Sequence, residues 1–133
     1  MATTTISQGE LGRVSAEAYE TKGYRISLGY NNTSGLTAES LTSAWDAVKL
    51  SGNGYADVTG TIGTGSYNST TQRYEMPQLE ATFTASGGSL VYDTVYVVIG
   101  SYTKVHSISV ESPAITLADG SSVLYRITLA ADN

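Results

Sequence analysis

Cysteine is absent from this 133-residue chain, which excludes disulfides, thiolate nucleophiles and cysteine metal sites. Histidine occurs once, at His106, so the usual zinc sets are excluded too. Charge is sparse: Asp, Glu, Lys and Arg make up 14% of the residues, against roughly 25% in an average soluble protein. The seven basic residues stand singly, and the net charge is −5. A nucleic-acid binder displaces counterions with a clustered basic face, so no direct nucleic-acid partner is expected. Proline occurs twice, and Phe and Trp once each. The longest apolar stretch, around Val95 to Ile99, is far shorter than the ~20 residues of a membrane-spanning helix, and no membrane partner is expected. The N-terminus has neither the basic nor the apolar region of a secretory leader.

Glycine, serine, threonine and tyrosine fill the space, with 14 Gly and 10 Tyr. A surface of this kind is polar but weakly charged, so little charge must be desolvated when it meets another protein. Hydrophobic residues are 41% of the chain, enough for a globular core.

The periodicity reads as strand after strand. Gln78 to Ala85 alternates apolar Leu79, Ala81, Phe83 and Ala85 with polar neighbours, the two-residue period of a half-buried strand. After Gly87-Gly88, Leu90 to Ile99 is apolar on both faces, as expected of a deeply buried strand. Tyr24, Ile26, Leu28 and Tyr30 share one face of an earlier strand, with Arg25, Ser27 and Gly29 on the other. Ser66 to Tyr74 reads as a hairpin tip with Tyr67 facing Tyr74 across it. Lys104 to Val110 and Ala114 to Leu117 are expected as two strands separated by a break at Glu111-Ser-Pro113. Asp119-Gly120 turns the second of them into Val123 to Leu129. Thr37 to Lys49 is the helix candidate, with Thr37 as N-cap, and Leu41, Trp45 and Val48 as its apolar stripe. Residues 1–23 lack a clear period and read as an N-terminal arm or extension. The expected fold is mainly β: one antiparallel β-sandwich-like domain over 24–133, carrying a short helix at about 37–49.

Reactive groups do not cluster. His106 shares a strand face with Ile108 and Val110 and reads as a partly buried packing residue. Asp93 lies on the most apolar strand and reads as a structural carboxylate, with Arg73, Lys104 or Arg126 as partners. Glu75 and Glu80 fall on opposite faces. The glycine-dense stretch from Gly60 to Gly65 lacks the lysine of a phosphate loop. No catalytic residue, cofactor or metal is expected, and the chain reads as non-enzymatic. The tyrosines are the remaining signal, because Tyr joins large area to few rotors and a polar tip. Tyr19, Tyr67, Tyr74, Tyr92, Tyr96 and Tyr102 are the candidate interface residues. Three of them, Tyr92, Tyr96 and Tyr102, also offer the row of aromatics that a carbohydrate-binding β module would need.

Pro77-Gln-Leu-Glu-Ala-Thr-Phe-Thr-Ala-Ser-Gly-Gly-Ser-Leu-Val-Tyr-Asp-Thr-Val-Tyr-Val-Val-Ile-Gly100, followed by Ala114-Ile-Thr-Leu-Ala-Asp-Gly120 and Tyr125-Arg-Ile-Thr-Leu129, resembles small structural proteins of tailed bacteriophages, including those of cyanobacterial phages. The resemblance covers roughly Met76 to Leu129. It implies a virion component assembled in the host cytoplasm. The first expectation is a capsid cement (decoration) protein that binds the major capsid protein and further copies of itself, as a dimer or trimer. A tail, fibre or baseplate accessory protein is the alternative. The resemblance supplies no catalytic residues.

Overall fold

The computed structural model describes residues 17–32, 34–101 and 103–129. Most of the N-terminal arm expected over 1–23, and Tyr102, lie outside these residues. The fold is mainly β, with antiparallel sheets and a short helix, in a β-sandwich-like architecture. Its elements are β1 (Gly23–Gly29), α1 (Thr42–Ala47), β2 (Val58–Thr61), β3 (Ser66–Asn68), β4 (Arg73–Glu75), β5 (Gln78–Thr84), β6 (Leu90–Ile99), β7 (Ser107–Leu117) and β8 (Ser122–Thr128). A four-stranded sheet runs β2-β1-β6-β7, and β3-β4 and β5-β8 form two-stranded sheets.

Two compact units divide the described chain. One comprises 17–22, 61–80 and 126–129. In it Thr21 donates to the Ile62 carbonyl at 2.9 Å and Ile62 donates to the Lys22 carbonyl at 2.8 Å, so the last residues of the expected arm are tied into folded structure. The β3-β4 hairpin sets Tyr67 opposite Tyr74, as its sequence implied. Gly65 is buried beneath Tyr74: a Cβ there would lie 2.6 Å from Tyr74 Cε1, 2.8 Å from the Glu75 carbonyl and 2.9 Å from Met76 Sδ. Backbone cannot yield as a side-chain tip can. Gly65→Ala is therefore expected to cost about 1–3 kcal/mol, the usual price of overpacking, read as a lower urea midpoint with unchanged slope. An unaltered midpoint would show that this corner is loosely packed.

The other unit, Gly23–Gly60 with Ala81–Tyr125, holds the main core. β6 is its spine. It pairs antiparallel with β1 (Ile26 opposite Val97, Leu28 opposite Val95) and with β7 (Tyr96 opposite Ile108). Every residue from Thr94 to Ile99 is buried, as a central strand apolar on both faces requires. Ala85, Leu90 and Leu117 form one apolar cluster with Leu50, Tyr55 and Val123 packed on it. Phe83 stacks on Tyr55 at 5.9 Å and meets Tyr125 edge-on at 6.5 Å, and Tyr125 in turn meets Tyr92. Trp45, Tyr96, Val98 and Val105 form a second cluster.

Three expectations need correcting. Asp119-Gly120 does not close a hairpin: β7 pairs with β6 and β8 with β5, so the turn carries the chain from one sheet to another. The helix is shorter than 37–49: it spans Thr42–Ala47, with Leu41 at the N-cap position and no side-chain cap. Thr37 instead closes a separate turn, its Oγ1 accepting from the Glu39 N–H at 3.2 Å while its own N–H donates to Ser40 Oγ at 3.0 Å. Hydroxyl side chains compete in this way for the backbone groups a helix would use. Leu41 is 52% exposed, so the apolar anchors at the helix are Trp45 and the half-buried Val48. The expected break at 111–113 is also not a strand end. β7 runs through it, with a register shift opposite the step from Tyr92 to Thr94. Tyr92 pairs with Ile115 and Thr94 with Val110, which leaves residues 111–114 facing Asp93 alone. Pro113 cannot donate to a ladder, and a bulge on an edge strand accommodates it.

Candidate functional site

The polar face of β1 builds the most highly connected group of side chains described in the protein. Alternation places Arg25 and Ser27 on one side of the strand. α1 brings Asp46 to them, and β6 brings Tyr96. The segment after the helix runs along β1, with Tyr30 donating to the Val48 carbonyl and Leu50 to the Leu28 carbonyl, each at 3.0 Å. It then reverses at Gly52, Asn53 and Gly54, whose φ values of 75°, 50° and 76° are all left-handed. That reversal returns Tyr55 and Asp57 to Lys49.

Arg25 grips Asp46 with both ends of its guanidinium, Nη1 at 3.0 Å from Oδ1 and Nη2 at 3.1 Å from Oδ2. Its Nη1 also donates to Ser27 Oγ at 2.9 Å. Ser27 is fully buried and donates onward to Asp57 Oδ1 at 2.9 Å. Asp57 further accepts from the Tyr55 hydroxyl at 2.6 Å and from Lys49 Nζ at 2.9 Å. The Tyr96 hydroxyl donates to Asp46 Oδ1 at 2.7 Å, and the Arg25 guanidinium lies 5.7 Å over the Tyr96 ring. Two cations and two carboxylates balance.

Burial would raise the Asp57 pKa, but hydrogen bonds from Tyr55, Lys49 and Ser27 outweigh it and hold the group below the ordinary carboxylate value. Burial, reinforced by the bonds to Asp57 and Asp46, pushes the Tyr55 and Tyr96 hydroxyls well up. The carboxylate stays ionised and the hydroxyls stay protonated. Such groups are fixed donors and acceptors, not proton carriers. The arrangement fastens the helix and the 49–57 segment to the sheet. Among the described residues every buried side-chain nitrogen and oxygen has a partner, and no group of three or more His, Cys, Asp or Glu could hold a metal. No described helix is long and apolar enough to cross a membrane.

Beside the cluster the sheet surface opens into a groove of about 500 Å³, lined among others by Gly23, Arg25, Thr42, Thr59, Val98 and Gly100.

The candidate tyrosines scatter. Among the candidates that are described, Tyr67 is the exposed one, at 53%. Tyr19 is half-buried, and its carbonyl accepts from the Lys22 N–H at 3.1 Å. Tyr74 is half-buried, and its hydroxyl donates to Glu20 Oε1 and the Gly65 carbonyl at 3.1 and 3.0 Å. Tyr92 and Tyr96 are fully buried. Tyr92 shares a short hydrogen bond with the Tyr125 hydroxyl, while Tyr96 binds Asp46, so both are core residues with their polar tips satisfied internally. They cannot form the aromatic row of a carbohydrate-binding module. His106 is half-buried, its pKa lowered by burial, with Nδ1 3.2 Å from Ser107 Oγ. The Asp93 carboxylate accepts the backbone N–H groups of Asn31 and Asn32 at 2.7 and 2.8 Å and the Thr94 hydroxyl at 3.0 Å, while Lys104 pairs with Glu39 and Arg126 with Glu80. Asp93 ties off the turn after β1.

Sequence reasoning missed the Arg25–Asp46–Asp57 group. The available signal was a buriable strand carrying Arg25 and Ser27 on its second face. The matching acids lie 21 and 30 residues away, beyond any local period. No family model, curated protein or solved structure matches the chain.

Proposed function

We propose that the chain is a non-enzymatic virion structural protein, a capsid cement (decoration) protein that binds the major capsid protein and stabilises a phage head. The observation that carries this reading is where the phage-like segment falls. Met76 to Leu129 spans β5 to β8 and supplies the central strand β6, the edge strand β7 and the β5-β8 pair. The edges and outer faces of these strands present apolar side chains on a surface of low charge. Val110 is 63% exposed on the edge strand β7, Leu124 is 44% exposed on β8, and Val91 is 41% exposed on β6. Contacts of this kind bury area without desolvating charge. The clamp of Arg25, Asp46 and Asp57 resists the shearing that a protein fixed to a pressurised shell must bear.

The test is binding to particles built from the cognate major capsid protein, with bound copies counted by gel densitometry. Cement requires hundreds of copies per particle. A handful of copies, located at the tail, would replace this reading with a tail, fibre or baseplate accessory protein. Val110→Glu and Leu124→Glu are expected to keep the thermal midpoint and weaken attachment at least about tenfold each, the effect of about 1.4 kcal/mol. Full occupancy by both variants would exclude Val110 and Leu124 from the contact.

A further inference from the structure

We propose that the groove at the Gly23–Gly100 end of the sheet binds a neutral sugar ring. The hollow exists because two facing positions lack side chains. Tyr24 pairs with Ile99, and Gly100 donates to the Gly23 carbonyl at 2.7 Å, so Gly23 and Gly100 lie across from each other on adjacent strands. Packing does not require glycine at position 23. Its φ is not left-handed, and a Cβ there would meet nothing closer than the Gly60 carbonyl at 3.8 Å. The missing side chain leaves space open to solvent rather than relieving a clash. That space, about 500 Å³, lies within the size range of small-molecule sites.

The lining selects the ligand. Thr59 and Ser101, both exposed, contribute hydroxyls. The apolar lining is Val98, which is only 6% exposed, and the half-buried Tyr24, a mix that suits a ring with apolar faces and hydroxyls at its rim better than a wholly apolar ligand. The charged group is Arg25, and its charge is already matched by Asp46 at 3.0 Å, with Asp57 at 3.8 Å. An anion therefore finds no uncompensated cation, and a cation finds no uncompensated carboxylate. A ring bearing hydroxyls finds donors and acceptors in fixed positions, because Arg25 is immobilised before the ligand arrives. An open polar groove gives weak single-site binding. Many copies on one particle would turn weak sites into strong attachment. This site does not depend on the head placement proposed above.

The experiment is a titration followed by ¹⁵N–¹H correlation spectra, with glucose, galactose, mannose and N-acetylglucosamine, and then with dextran and mannan. We expect saturable shifts, in the millimolar range for at least one sugar, at the amides of Gly23, Arg25, Thr59 and Gly100. Gly23→Val should keep the dispersed spectrum of the folded chain and weaken binding at least about tenfold by filling the groove. Thr59→Val should weaken it several-fold. Tighter binding of the polymer than of its monomer identifies a surface polysaccharide as the source, and equal binding per ring identifies a free sugar. The proposal fails if no sugar gives saturable shifts at these amides, if the shifts survive unchanged in Gly23→Val, or if glycerol reproduces them. Gly23→Val should also leave particle occupancy intact. Loss of occupancy would assign the groove to the protein contact and overturn the sugar site while sparing the cement reading.

Discussion

Trp45→Ala is expected to lower the unfolding free energy by about 3–5 kcal/mol, the range for truncating a large buried aromatic. Trp45 has no exposed surface, and its ring lies 5.4 Å from that of Tyr96. Val98, Val105, Leu36, Val48 and Ile108 complete its surroundings. Its Nε1 donates to the Thr37 carbonyl at 3.0 Å, so truncation also strips a partner from the turn ahead of the helix. The helix is a turn and a half long, without a side-chain cap, and an isolated helix of that length does not form. Trp45 is its buried side chain, and the polar tie through Asp46 to Arg25 and Tyr96 supports it from outside the core. A domain of this size has only about 5–15 kcal/mol in total, so the variant stands near the threshold of folding. Trp45→Phe keeps most of the area and loses the bond to Thr37, and should cost only about 1–2 kcal/mol. Urea unfolding followed by far-ultraviolet circular dichroism measures both. A loss below about 1 kcal/mol for the alanine variant would mean that α1 is held by something other than Trp45.

The second large effect belongs to Asp57. Asp57→Ala removes the acceptor of Tyr55, Ser27 and Lys49 at once and leaves a cation and two hydroxyls without it. Breaking a buried ion pair costs about 3–5 kcal/mol, and because its side chain retains 21% of its exposure we expect about 2–4 kcal/mol. Asp57→Asn keeps an acceptor oxygen and loses the charge, and should fall between wild type and alanine. The pH dependence separates charge from shape. The folded pKa of Asp57 is depressed below its ordinary value of 3.8 by the bonds from its neighbours, against the opposing effect of burial. A depressed carboxylate contributes its stabilisation fully above the unfolded pKa and loses it as the pH falls through the folded pKa. The gap between wild type and Asp57→Asn should therefore be constant at neutral pH and close progressively below pH 3.8. A gap that persists unchanged in strong acid would assign the effect to packing.

Strands were legible where one face is dry and the other wet. β5 buries Leu79, Ala81 and Phe83 and exposes Gln78, Glu80, Thr82 and Thr84, the alternation its sequence spells out. At Asp119-Gly120 the turn was legible but the pairing across it was not: β7 joins β6 and β8 joins β5, and Asp119 accepts from the Gly87 N–H at 2.9 Å, a partner 32 residues away. Tyrosine was illegible. Its ring suits a core and its hydroxyl suits a surface, and nothing local tells which applies. Tyr96 entered the core because an acid 50 residues earlier meets its hydroxyl, and Tyr92 because Tyr125, 33 residues later, does the same. The helix was overdrawn because Thr37 and Ser40 suit a cap and a free-standing turn equally well.

The detour of residues 111–114 in β7 bears on life at high concentration. β7 closes one side of the four-stranded sheet, and an uninterrupted eleven-residue margin there would be a template for a foreign strand. The detour cuts it into runs at 107–110 and 115–117, each too short to seed a growing ribbon. The interruption thus denies neighbouring copies the continuous row of unpaired backbone groups on which fibrils grow.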